Sequence, residues 1–350
     1  MKICFVINSI KTEIPGTTVV ILRKAYERGH DVYVMGVGNF IFYRDKNIHL
    51  RCRKIPKGIK TESLKEFWSQ IQDETLGYET IDSNEIDILF VRNNPTEETF
   101  DRQWAEHSGI AFARMIQRSG VLVLNDAFAM SHAFIDKLYF EELPSEIKPN
   151  SLITRDKNDI IHFWKENNKE IVLKPLEGSG GQNVYKIGKE QNNFNQILDT
   201  LTEKGYIIAQ EFLPEVSKGD VRVMLMNGKI LEEDGQHAII RRISSDKTEF
   251  RSNLSLGGIP KKGKLTKEIE HIVSLTAPKL IRDGLFFVGL DVVKDKLIEI
   301  NVLSPGGIDH SEITGMTDFT NTIVDALERK VHYKKYYQNK LSNRALATME

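Results

Sequence analysis

The stretch Gly289-Leu290-Asp291-Val292-Val293-Lys294-Asp295-Lys296-Leu297-Ile298-Glu299-Ile300-Asn301 restricts the fold more than any other part of this chain. Two apolar β-type runs flank Lys294-Asp295-Lys296, the pattern of antiparallel strands joined by a short loop. A three-residue loop sets Asp291 across from Glu299, and Asn301 joins them because strand side chains repeat every two residues. Val292, Ile298 and Ile300 then share the opposite, apolar face. The predicted hairpin has one core face and one face with three oxygen ligands. Without His or Cys, such a set suits magnesium held between protein and phosphate better than zinc. On spacing alone, a solvated hairpin with ordinary surface charges reads the same.

At 350 residues the chain is long enough for two or three compact domains. A net charge of -1 with 28% charged residues gives no electrostatic basis for a nucleic-acid or membrane-surface partner, so small-molecule chemistry is expected. Cys4 and Cys52 are the only cysteines and form no Cys-x-x-Cys pair; both are expected to be reduced. The apolar run at 3–7 is too short for a signal peptide, and no segment approaches a membrane span, which points to the cytoplasm.

A strand at 3–7, a helix at 19–28 and a strand at 31–35 predict a βαβ beginning, hence an α/β class with a doubly wound N-terminal region. Strands at 86–91 and 121–124 flank a helix over 100–119, and a boundary is expected near Asn125. The charged stretch 43–77 reads as a long excursion. Further on, strands at 171–174, 184–187 and 206–212 surround a helix at 194–204, and Asn227-Gly228 turns a hairpin between 221–226 and 229–231. Residues 331–350 show no periodic core face; they are expected to fray or to dock against another subunit.

Glu177-Gly178-Ser179-Gly180-Gly181 follows the strand ending at Lys174, and its small residues allow backbone amides to approach a phosphate; an ordinary hairpin turn has the same composition. Lys174 interrupts an apolar strand and needs a partner or a ligand. Lys137 in a helical segment is by itself a surface lysine. Arg222, Arg241 and Arg242 also interrupt β-type apolar runs. Several cations with three metal-type ligands describe a polyphosphate site.

Leu173-Lys174-Pro175-Leu176, the glycine run, Gln210-Glu211-Phe212-Leu213, Gly219 to Val223, Arg251-Ser252-Asn253-Leu254 with Gly257-Gly258, and Val288 to Pro305 occur in the order of the motifs of bacterial glutathione synthetase, which this chain resembles through most of 1–330. That family has an ATP-grasp fold. The resemblance implies a pre-ATP-grasp domain over 1–125, a central lid domain over 126–208, a catalytic domain over 209–330 and a tail over 331–350. It further implies ATP as a co-substrate. Lys137, Lys174, Gly178, Ser179, Gly180 and Gly181 would meet the phosphates, Gln210, Glu211, Phe212 and Leu213 the adenine, and Asp220 the ribose. Arg222, Arg242 and Asn253 would act at the reacting centre. Asp291, Glu299 and Asn301 would hold magnesium, with manganese as a substitute.

The chemistry implied is ligation of a carboxylate to an amine through an acyl phosphate, with γ-glutamylcysteine and glycine as substrates and a homo-oligomer as the assembly. Arg92, Arg251, Gly257, Gly258, Ser304, Gly306 and Gly307 would face these substrates. Arg92 reads equally as a carboxylate clamp or a salt-bridged strand-end arginine. The chain departs from the family at Ser304-Pro305-Gly306-Gly307-Ile308-Asp309-His310, where a third Ser-Pro-Thr residue and a basic residue are expected. Gly306 and Gly307 could still offer amides to a substrate, in a more open pocket. A ligase for another acid or amine, and a nucleotide-binding regulator without turnover, are the alternatives.

Overall fold

Strand β1 (Lys2–Ile7) is apolar along almost its whole length and buried on both faces, as a central parallel strand must be. Helix α1 (Thr17–Glu27) returns the chain to β2 (Asp31–Gly36), which pairs parallel with β1. Strands β3 (Phe40–Phe42), β4 (Ile48–Lys54) and, after α2 (Leu64–Gln72), β5 (Glu79–Asp82) extend that edge antiparallel. Strand β6 (Ile88–Val91) joins β1 on its other side, and α3 (Ser108–Arg118) leads to β7 (Leu122–Leu124). The order β3-β4-β2-β1-β6-β7, with β5 on β4, changes direction between β1 and β6. In open α/β sheets such a switch point is where ligands meet the C-terminal ends of the strands. The computed structural model describes residues 1–44, 47–178, 181–190, 192–245, 251 and 257–350.

Helices α4 (Ala127–His132) and α5 (Asp136–Glu141) lead into an antiparallel sheet of order β10-β9-β11-β8, made by β8 (Ser151–Thr154), β9 (Ile171–Pro175), β10 (Tyr185–Ile187) and β11 (Ile207–Glu211). Helices α6 (Lys157–Glu166) and α7 (Phe194–Lys204) cover it. A third sheet contains β12 (Asp220–Met226), β13 (Lys229–Ile230), β16 (Ile239–Ile243), β17 (Ile259–Lys262), β18 (Phe287–Val293) and β19 (Lys296–Asn301); β14 (Glu232–Glu233) and β15 (Gln236–His237) pair separately. Helix α8 (Lys267–Asp283) precedes β18, and α9 (Ser311–Thr314), α10 (Thr320–Tyr336) and α11 (Asn343–Thr348) close the chain.

The N-terminal and C-terminal sheets share their apolar cores. Cys4, Leu89 and Val123 pack in one cluster with Val223, Val288 and Ile300, while Phe5 and Phe90 share another with Met224, Phe286 and Leu327. Asn125 stitches the two sheets by donating to Phe287 O at 3.0 Å and Val302 O at 2.7 Å and accepting from Phe287 N at 2.8 Å. The central sheet has its own core of Ile160, Leu173, Leu198 and Ala209 with their neighbours. Cys4 and Cys52 are both free and buried.

Several expectations need correction. The excursion over 43–77 contains regular structure in β4 and α2, whose Phe67, Trp68 and Ile71 are buried. The helix expected at 100–119 is a 3-10 turn, Phe100–Ala105, followed by α3. The break placed between 208 and 209 falls inside β11, and that between 330 and 331 falls inside α10. The tail packs on its own chain: Leu346 and Ala347 are buried, and Asn343 bonds both backbone groups of Val123. Its apolar face is short, so periodicity did not reveal it.

Candidate active site

Strand register builds a buried lattice of charge. β12 pairs antiparallel with both β16 and β18, which sets Asp220 opposite Arg242 and Arg222 opposite Asp291. Arg222 donates to both Asp291 oxygens, from Nη2 at 2.8 Å and also from Nε. Arg242 donates to Asp220 at 2.7 and 2.6 Å and reaches Asp291 Oδ2 at 2.9 Å. All four side chains are buried, and the two carboxylates balance the two guanidiniums. Burial by itself would raise the Asp291 carboxyl, but Arg222 and Arg242 override it and hold the group well below the usual carboxylate range. Arg222 therefore spends its charge on Asp291 and, through Nη1, on Gly306 O at 3.1 Å. The resemblance implies that it neutralises charge at the reacting centre.

The β18–β19 hairpin sets Asp291 opposite Glu299 and Gly289 opposite Asn301, as the spacing predicts, but by another route. Val293 pairs with Lys296 and Val292 with Leu297, so the loop has two residues, with Lys294 at φ 55°. A shift in register after Val292 restores the Asp291–Glu299 pairing. The irregularity moves Leu297 into the core and turns Ile298 toward the cavity, which corrects the expected core placement of Ile298.

Glu299 differs electrostatically from its cross-strand partner. Burial and then the nearby Asp291 charge raise its carboxyl, with Lys174 and Lys137 opposing. The Nδ2 of Asn301 is buried without a hydrogen-bond partner among the described residues. An under-compensated carboxylate beside a side-chain amide oxygen fits a hard divalent cation, which takes oxygen ligands. Among the described residues no group of three His, Cys, Asp or Glu could hold a metal, so the set depends on the amide oxygen of Asn301.

One cavity gathers Lys137, Lys174, Gly178, Gly181, Gln210, Glu211, Phe212, Leu213, Asp220, Arg242, Arg251 and Glu299. Period-two alternation explains the strand contributions. Ile171, Leu173, Ile207 and Ala209 enter the central core, leaving Val172, Lys174 and Gln210 to face the cavity. Val184, Val216, Val293 and Ile298 complete apolar walls suited to a flat ring. Lys137 Nζ donates to Pro175 O at 2.8 Å and Gly178 O at 2.9 Å, and Arg251 donates to Gly181 O at 2.8 Å. Asp220 lines this cavity with its carboxylate already engaged by Arg242. Ser179, Gly180 and Asn253 lie outside the described residues.

Arg92, Ser304, Gly306 and Gly307 lie on the other side of the lattice. Arg92 is 3% exposed; its Nε donates to Thr18 Oγ1 at 3.1 Å and its Nη2 to Pro305 O at 2.7 Å. Neither the salt-bridged reading nor a wholly free clamp describes it. Gly307 N donates to Thr17 Oγ1 at 2.9 Å and to Asp309 Oδ1 at 3.2 Å, so that amide is not available to a substrate. With φ at 142°, and a Cβ there only 3.1 Å from Ile240 Cδ1, Gly307 is required by close packing and opens no space. Gly306 remains exposed. Gly257, at φ 87°, and Gly258 are not part of the cavity wall. Sequence reasoning missed Thr17 and Thr18; their position in the first turn of α1, the helix that follows β1, was the available signal.

Residues 1–130 match the N-terminal domain of prokaryotic glutathione synthetase, and residues 136–317 match its ATP-grasp domain. Glutathione synthetase of Buchnera aphidicola subsp. Schizaphis graminum is 32% identical over 318 residues, covering 90% of this chain and 92% of that protein. The Escherichia coli K12 enzyme is 28% identical, covering 90% and 93%. Among solved structures, D-cycloserine synthetase DcsG superimposes with a TM-score of 0.59 at 13% identity, over 93% of this chain and 100% of that one. D-alanine–D-alanine ligase from Bacillus anthracis gives 0.50 at 11% identity, over 95% and 99%.

Proposed function

This chain belongs to the prokaryotic glutathione synthetase family, and we propose that it joins γ-glutamylcysteine to glycine with ATP, using the residues assembled above. It is an ATP-dependent ligase with an ATP-grasp fold and small-molecule substrates. Lys137 and Lys174 bind the nucleotide phosphates, while Gln210, Glu211, Phe212 and Leu213 hold the adenine against Val172 and Ile298. Gly178 and Gly181 bring backbone close to the phosphates, with Ser179 and Gly180 between them. Asp291, Glu299 and Asn301 hold magnesium, which when bound supplies charge neutralisation between triphosphate and carboxylate; manganese is the expected substitute.

The substrate carboxylate attacks the γ-phosphorus, the bond to the ADP oxygen breaks, and an acyl phosphate forms. The glycine amine, as its free base, then attacks the acyl carbon; phosphate leaves and the nitrogen loses a proton. No protein nucleophile is required. Arg242 and Arg251 offset negative charge at this centre, Asn253 is assigned beside them, and Arg222 fixes Asp291. Arg92 and the segment containing Ser304, Gly306 and Gly307 flank the acid substrate, with Gly257 and Gly258 near the amine end.

The single observation that supports this reading most is the convergence of Lys137, Lys174, Arg242 and Glu299 on one cavity with the adenine-type walls. The protein is expected to act in the cytoplasm as a homo-oligomer; among the described residues, no helix is long and apolar enough to cross a membrane. The test is incubation with ATP, magnesium, γ-glutamylcysteine and glycine, with the product identified by mass. Tripeptide and phosphate in equal amounts are expected. Phosphate release only with another acid or amine would leave the ligase and replace the substrate.

A further inference from the structure

Residues 304–310 depart from the family pattern: the chain carries Gly306, Gly307 and Asp309 there and lacks the basic residue expected. Packing against α1 supplies a physical reason. That helix begins at Thr17 without a side-chain cap from Gly16 and with no acidic residue in its first turn. Its positive end therefore has no counter-charge of its own. The Asp309 carboxylate takes that place from 292 residues away: its Oδ1 accepts from Thr17 Oγ1. Its Oδ2 lies 4.0 Å from where a Cβ on Gly16 would stand. A lysine or arginine at 309 would bring positive charge to the helix end and offer Thr17 no acceptor.

The same hydroxyl fixes a loop. Thr17 Oγ1 accepts from Gly307 N at 2.9 Å while it donates to Asp309, and Gly307 N also reaches Asp309 Oδ1 at 3.2 Å. The three groups close on one another. One residue earlier Arg222 Nη1 donates to Gly306 O at 3.1 Å, and before that Arg92 Nη2 donates to Pro305 O at 2.7 Å. Arg92 is itself held through Nε by Thr18 Oγ1 at 3.1 Å. Three consecutive residues are thus fastened from α1, from the end of β6 and from β12. Thr17, Thr18, Arg92 and Arg222 are all buried, and Ile308 anchors the next position in the core with Val19 and Leu22. Two adjacent glycines would otherwise leave this loop a wide range of backbone conformations. Because Arg222 also grips Asp291, the fastened loop and the β18–β19 hairpin share one guanidinium.

We propose that Thr17 and Asp309 are positioning residues for the ligation, acting as one unit that sets 305–307 against the acid substrate. The proposal rests on the acid-substrate reading above. Neither residue lines the nucleotide cavity, so their effect falls on the acid and not on ATP. The N-terminal sheet region thereby does more than flank the site: through α1 it holds a loop of the catalytic region in one conformation. Asp309 is the residue that lets a glycine pair stand where the family pattern has side chains.

The experiment measures kcat and KM for γ-glutamylcysteine and ATP in the wild type, Thr17→Val, Thr17→Ser, Asp309→Ala and the double variant of Thr17→Val with Asp309→Ala. Thr17→Val keeps the shape and removes the hydroxyl. It is expected to raise KM for γ-glutamylcysteine about tenfold, the size of effect that loss of a buried hydrogen bond gives. KM for ATP should stay within about twofold. Thr17→Ser keeps the hydroxyl and should stay within about twofold on both substrates. Asp309→Ala should match Thr17→Val, and the double variant should lose no more than either single one, because groups that act as a unit are not additive. The proposal is overturned by an unchanged KM for the acid in Thr17→Val, by an equal rise in KM for ATP, by Thr17→Ser as impaired as Thr17→Val, or by multiplying losses in the double variant. Should Thr17→Val fail to fold by circular dichroism, Asp309→Ala and Thr17→Ser decide: a KM for the acid raised in the first and not in the second supports the proposal, and any other pattern overturns it. Absence of tripeptide from the wild type overturns the acid-substrate reading and this proposal with it; tripeptide without the KM pattern overturns the proposal only.

Discussion

Asp291 and Glu299 face each other across one hairpin, yet they are in opposite electrostatic states. Asp291 is clasped by Arg222 and Arg242, which hold it ionised, whereas burial and the charge of Asp291 raise Glu299. The arginine side of the sheet is complete before any ligand arrives. The Glu299 side is under-compensated, and a cation there would remove a cost already present in the fold. A ligand-binding surface is thus built by satisfying one half of a charged hairpin and leaving the other half wanting.

The largest effect is expected from Asp291→Asn, which leaves two buried guanidiniums without their shared counter-charge. A loss of roughly 3–5 kcal/mol in urea unfolding, with loss of turnover, is the expected outcome. Unchanged stability would show that the lattice does not depend on this carboxylate. Glu299→Gln should separate from it cleanly: phosphate release falls on the order of 10²–10³, while thermal stability is kept or improved because a repelled charge is gone. Equal destabilisation by both variants would break the contrast.

Lys330 supplies a third case, a buried cation facing neutral acceptors. It donates to Asn227 Oδ1 at 2.8 Å and Met349 O at 2.7 Å, and burial lowers its ammonium to about 7. Between that value and the ordinary lysine range, the unfolded chain binds more protons than the folded one. Stability should therefore rise with pH through this window, by at most about 1.4 kcal/mol per pH unit from this group. Urea unfolding from pH 7 to 10 should show a flatter profile in Lys330→Met, and an unchanged slope would remove Lys330 as its source. The smallest effect is expected from Asn343→Ala, where two hydrogen bonds to the Val123 backbone and one to the Asp126 carboxylate are lost. About 1–2 kcal/mol of stability should go, with KM and kcat intact; a fall in kcat would tie the C-terminal helix to the site.

The hairpin shows how much was legible and why the rest was not. Alternation of apolar and oxygen-bearing residues marked Asp291, Glu299 and Asn301 as one set, because strand geometry imposes that period wherever one face is buried. A cation inside the apolar run 171–174 likewise marked Lys174 as a residue in need of a partner or ligand. The irregularity that turned Ile298 toward the cavity left no such trace, since a register shift depends on the partner strand. The role of Gly307 was also misread. Its packing against Ile240 and its bond to Thr17 join segments 67 and 290 residues away in sequence.

By itself the sequence determined the strand and helix periods, the ordered motifs that identify the family, and the residue types able to bind phosphate and a hard cation. Those properties are local, fixed by side-chain chemistry and spacing along the backbone. Only the tertiary structure decided which charges cancel, leaving Asp291 satisfied by Arg222 and Arg242 and Glu299 not. Charge compensation depends on distance and burial, and both are set by how the sheets pack.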